Sequence, residues 1–130
     1  MTPSEYIQEQ LTEKQALLTG IHNAITGNDA SVIPVIGSMM GKQMILYNER
    51  CYMKYGLSVV KNHMSLHCMP IYMNPVLHSK YAALLPAAKF QKGCINFSNS
   101  NEVPLEIISA LITDCSGISI ADMLENRKKK

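Results

Sequence analysis

His63-Met64-Ser65-Leu66-His67 places two imidazoles four residues apart. On a helix that spacing would let both reach one metal ion. The flanks Val59-Val60 and Cys68-Met69-Pro70 favour a strand. There the two rings share a face but stand roughly 13 Å apart, at about 3.3 Å per residue. Ligands of one zinc ion each lie about 2 Å from it, so the pair does not chelate a metal alone. It reads as polar positions on the outer face of a half-buried strand. Imidazoles exchange protons near neutrality, and Lys61 and Lys92 would attract an anion. Lys61, His63, His67 and Lys92 are therefore the expected ligand-binding patch, if the sheet order unites their segments.

The four cysteines, Cys51, Cys68, Cys94 and Cys115, include no Cys-x-x-Cys pair. Structural zinc sites and redox motifs use such close pairs. Cys94 or Cys68 with either histidine could form a catalytic pair. Catalysis of that kind needs a thiolate beside an oriented base, and no local signature marks one. Glu5, Glu9 and Glu13 recur at i, i+4 and i+8. One continuous helix would align them as a carboxylate ridge, the oxygen chemistry that hard cations prefer. They are the candidate metal ligands, and the solvated helix face is the plainer reading. No phosphate-binding glycine motif occurs. Seven of the nine methionines cluster towards the middle of the chain, where they can fill a core or form an adaptable binding surface.

These residues need elements to position them. Thr2-Pro3-Ser4-Glu5 fits a capping box with Pro at the first helical position. Thr12-Glu13-Lys14-Gln15 fits a second. Ile7, Leu11, Leu18, Ile21 and Ile25 form a helical stripe that ends at Gly27-Asn28-Asp29. Strands are expected at Gln43–Tyr47, Cys51–Tyr55, Leu57–Val60, His63–Met69 and Gly93–Phe97, with a turn at Asn48-Glu49-Arg50. Helical patterns follow at Val76–Leu85, from Pro104, and from Ser119, which caps the last helix. Strands in sequence joined by short turns make an antiparallel meander. The fold class is α+β, with helices packed on one face of a single antiparallel sheet.

The 130 residues suit one domain, residues 1–126, with a basic tail at 127–130. The net charge of +2 is the tail's doing. Without its four basic residues, eight basic side chains face ten acidic ones, a body charge of −2. Nucleic acid is disfavoured as a partner. With 47% hydrophobic and 17% charged residues the chain is not disordered. No apolar run near the roughly 20 residues of a membrane span is expected. The N-terminus lacks a signal pattern, so a cytoplasmic protein is expected.

Ser4-Glu5-Tyr6-Ile7, Lys61-Asn62-His63-Met64-Ser65-Leu66-His67, Lys89-Phe90-Gln91-Lys92-Gly93-Cys94-Ile95-Asn96-Phe97 and Val103-Pro104-Leu105 together resemble the YdhG-like domain family. That resemblance spans nearly the whole chain. It implies a compact α+β fold similar to frataxin. One member of the family is regarded as an intracellular iron chaperone. The resemblance thus implies a non-enzymatic binding protein, iron as its possible cofactor or cargo, and an iron-receiving protein as partner. The alternative is a protein-interaction module that uses the sheet face around Lys61, His63, Ser65 and His67.

Overall fold

The computed structural model describes every residue except 1, 11, 40, 61–62, 87, 92, 98–103 and 129–130; at 13, 39, 60, 63, 127 and 128 it describes the backbone alone. Helix α1 (Pro3–Gln8) opens with the expected capping box. The Thr2 amide donates to Glu5 Oε1 at 2.9 Å, and the Glu5 amide donates to Thr2 Oγ1 at 3.2 Å. Gln15, expected to close a second box at Thr12, instead donates its side-chain amide to the carbonyls of Gln10 (2.9 Å) and Gln8 (3.3 Å). It thereby satisfies acceptors left free where α1 ends. Helix α2 (Thr12–Asn28) buries Leu17, Leu18, Ile21, Ala24 and Ile25 on one stripe.

Four strands follow: β1 (Ile33–Met39), β2 (Lys42–Glu49), β3 (Tyr52–Val60) and β4 (His63–Cys68). Each pairs antiparallel with its sequence neighbour. Then come α3 (Met69–Met73) and α4 (Pro75–Leu84), the latter capped by Asn74 Oδ1, which accepts from the Val76 and Leu77 amides. Strands β5 (Lys89–Gln91) and β6 (Cys94–Phe97) form a hairpin, and β6 adds to β4. The sheet order is β1-β2-β3-β4-β6-β5. Helices α5 (Leu105–Ser116) and α6 (Ile120–Lys128) finish the chain.

The fold is α+β, on a six-stranded open antiparallel sheet. One sheet face presents Ile45, Tyr47, Tyr55, Leu57, Leu66, Cys68, Ile95 and Phe97, which join the apolar stripes of α2 and α5 in one core. By alternation the other face carries Met44, Leu46, Gly56, Ser58, Ser65, His67, Cys94 and Asn96. Cys68 Sγ and Cys115 Sγ meet inside the core at 3.8 Å as free thiols. Burial and the neighbouring thiol push the Cys68 thiol well up.

Several elements depart from expectation. Strand β1 forms through Pro34 and Gly37, where the sequence shows only punctuated apolar runs. Strand β3 runs unbroken through Gly56, and Met69 begins α3 instead of ending β4. Pro104 stands at the N-cap of α5, one position before the helix proper. The last helix continues to Lys128, into the residues expected as a tail. Leu105–Asn126 matches a membrane span by length and composition, contrary to expectation. It is two helices parted at Gly117–Ser119, and α5 buries Ile108, Leu111, Ile112 and Cys115 in the core.

A bulge between Tyr47 and Asn48 leaves Lys54 outside the β2–β3 register. A bulge brings successive side chains towards one side, and here both Lys54 and Tyr55 reach Asp29 at the end of α2. Lys54 Nζ lies 2.8 Å from Asp29 Oδ2, and Tyr55 Oη donates to the same oxygen at 2.7 Å. The Ser31 amide and hydroxyl donate to Oδ1 at 3.0 and 2.5 Å. Burial alone would raise the Asp29 pKa, but these bonds outweigh it and hold the carboxyl below its usual value.

Candidate functional site

His67 and Cys94 are partners in the β4–β6 register, so both side chains leave the sheet on the same face. Cys94 Sγ lies 3.0 Å from His67 Nδ1. Burial lowers the pKa of His67 and raises that of Cys94. Both shifts favour the uncharged forms, so the pair rests as thiol and neutral imidazole. That state is satisfied when the Cys94 S–H donates to a bare Nδ1 and the ring proton sits on Nε2. A thiolate–imidazolium pair, the form a cysteine nucleophile requires, is the disfavoured state.

Two glycines make room for this pair. Gly56 faces His67 directly across β3–β4. A methyl group there would stand 2.6 Å from Met44 Cε, 3.4 Å from Met53 Sδ and 3.5 Å from His67 Cβ. The Met53 thioether and the His67 side chain therefore converge over Gly56. At Gly93 a methyl group would stand 2.9 Å from Tyr72 Cβ and 3.3 Å from the Cys68 carbonyl. Only a bare backbone lets the β5–β6 turn seat against α3 this closely. The Gly93 carbonyl also accepts from the Cys68 amide at 2.7 Å.

Between these elements lies a cavity of about 240 Å³, lined by Met53, His67, Cys68, Met69, Tyr72, Gly93 and Cys94. None of these lining residues is a carboxylate, lysine or arginine. Among the described residues the walls are apolar apart from the Cys94–His67 pair and the Tyr72 hydroxyl, the balance typical of a small-ligand pocket.

Of the expected patch, only His67 has a described side chain in this site. Lys61 and Lys92 lie outside the described residues. The His63 backbone is at the opposite end of β4, paired with Val60, and its side chain is outside the described residues. Ser65 Oγ donates to Asn96 Oδ1 at 2.5 Å. Glu5 and Glu9 are exposed at α1, Glu5 holding the Thr2 amide; the Glu13 side chain is outside the described residues. Among the described residues no three His, Cys, Asp or Glu side chains converge on one point.

Of the wall residues, Tyr72 carried no signal in the sequence, Met53 and Met69 showed only as part of the methionine density of the middle of the chain, and Gly93 only as the start of an expected strand. A second hollow of about 370 Å³ lies between α1 and α2, lined by Ser4, Ile7, Gln8, Gln15, Thr19, His22 and Asn23. Beneath it Tyr47 Oη lies 2.7 Å from His22 Nδ1, and burial lowers the His22 pKa.

In comparison with known proteins, the chain matches no family model, no curated protein and no solved structure.

Proposed function

We propose that this chain is a non-enzymatic binding module whose ligand seats an apolar group in the cavity beside His67 and Cys94. The supporting observation is the cavity's construction: apolar walls around a single hydrogen-bonded polar pair. Its volume, about 240 Å³ and open to solvent on one side, exceeds the roughly 150 Å³ of an enclosed cavity that accommodates a benzene ring. The fitting group is thus one ring or two small fused rings, or a short branched chain. A binding role suits the resting chemistry better than catalysis does, because thiol and imidazole are both neutral.

The YdhG-like resemblance adds an iron-handling reading, with Glu5, Glu9 and Glu13 as donors and an iron-receiving protein as partner. Its support is the family motifs alone. Iron titration of the triple Glu→Gln variant tests it, and unchanged affinity would dismiss the ridge.

The cavity reading is tested by titrating indole and isovalerate into 15N-labelled protein. Amide shifts should concentrate at Met53, His67, Gly93 and Cys94. Shifts confined to the α1–α2 hollow around His22, or none at all, would defeat the reading.

A further inference from the structure

We infer that Cys94 Sγ and His67 Nδ1, with the thioethers of Met53 and Met69, form a binding site for a soft univalent cation, Cu(I). The inference deepens the cavity reading and rests on that cavity being open to a ligand. Donor type comes first. A thiolate, an imidazole and thioether sulfurs are the ligands that select Cu(I), whereas hard cations prefer oxygen. Cys94 and His67 are held together by strand register, and the Met53 sulfur lies over Gly56 next to His67. Met69 lines the same cavity.

Charge narrows the choice further. None of the described wall residues is a carboxylate, and an uncompensated ion in apolar surroundings is costly. One thiolate with Cu(I) is neutral overall; one thiolate with Zn(II) leaves a full positive charge. The reaction is an exchange in which the ion takes the place of the proton between sulfur and nitrogen. The Cys94 S–H bond breaks, Cu–S and Cu–N bonds form, and one proton leaves to solvent. No electrons move. Metal bonds of about 2.3 Å to sulfur and 2.0 Å to nitrogen at 120° set the two donors about 3.7 Å apart. The pair stands at 3.0 Å, so an opening of well under 1 Å admits the ion. A third donor from Met53 or Met69 completes a trigonal set. Of the other thiols, Cys68 and Cys115 face the core and Cys51, exposed, is not among the described wall residues.

Reduced protein is titrated anaerobically with Cu(I) against a chromophoric Cu(I) chelator. One equivalent should be retained. Cys94→Ser should lose at least about 100-fold in affinity, since even groups supporting metal ligands are worth about 10–100-fold. Met53→Leu with Met69→Leu should lose about tenfold, and Cys51→Ser nothing. Affinity should rise about tenfold per pH unit, as one proton is released per ion. X-ray absorption should show one imidazole nitrogen beside sulfur. Native affinity in Cys94→Ser, a shell of sulfur alone, or displacement by equimolar Zn(II) would each overturn the site. Should Cys94→Ser fail to fold, alkylation of the native protein decides: bound Cu(I) must protect Cys94, and an unprotected Cys94 rejects the assignment. The two readings fail separately. Copper without indole binding removes only the apolar ligand, and indole binding without copper removes only the metal.

Discussion

Asp29 receives four donors, from Lys54, Tyr55 and both the amide and the hydroxyl of Ser31. Lys54 and Asp29 side chains are 0% and 1% exposed, so neither charge can turn to water if its partner is lost. Lys54→Met should destabilise the fold by about 3–5 kcal/mol, the scale for a buried pair broken on one side; urea denaturation measures it. His22 and His67 bind a proton less readily folded than unfolded. Protonation therefore favours the unfolded chain. Stability is complete above about pH 6.5 and falls as pH drops through the lowered folded values. The urea midpoint should decline between pH 7 and 5, and His22→Gln should flatten part of that decline. Asp29, also lowered, adds a further loss below about pH 4. The thiols differ by place as well. Exposed Cys51 should alkylate first and half-buried Cys94 next, while Cys68 and Cys115 react only as fast as the fold opens; mass spectrometry of timed samples reads that order.

At the scale of elements, the end of β2 and the turn after it anchor α6. Glu49 is buried, and its Oε1 accepts the Ala121 amide at 3.0 Å while Oε2 accepts the Ser119 hydroxyl at 2.7 Å. Arg50, at φ 57°, pairs outward with Asp122 and Glu125. Glu49→Ala would strand a buried amide at the start of α6. It should cost about 1–3 kcal/mol and speed hydrogen exchange at Ile120–Met123. Much at this scale was legible in the sequence: the Thr2 capping box, the Ser119 cap and the pleated His63–His67 stretch carry local signals. Lys54 was not, because a lysine among Tyr52-Met53-Lys54-Tyr55 reads as the solvent side of a strand. Only the bulge and a distant Asp29 send it inward. Strand β1 was hidden by Pro34 and Gly37, which local propensity counts against a strand. Its support is seven residues of pairing with β2.

Across the whole molecule, the candidate site depends on pairing between parts of the chain that are far apart in sequence. The Cys94–His67 contact requires β6, not β5, to lie beside β4, in a register that puts both residues on one face. Each residue is visible in the sequence, but 27 positions and two helices separate them. No periodicity carries the register across that gap. The α+β class was legible because runs of alternating strands and striped helices declare themselves one by one.

The interposition of β6 also bears on how the chain is made. Strands β1 to β4 can zip together as they leave the ribosome, each meeting its predecessor. The outer rim of β4 must then wait, its peptide groups unsealed, through α3, α4 and β5 until Cys94–Phe97 is synthesised. An unsealed rim is a template for a stray strand. Nascent chains arrested before Cys94 are thus the ones that should call on chaperones, and release of four more residues should free them.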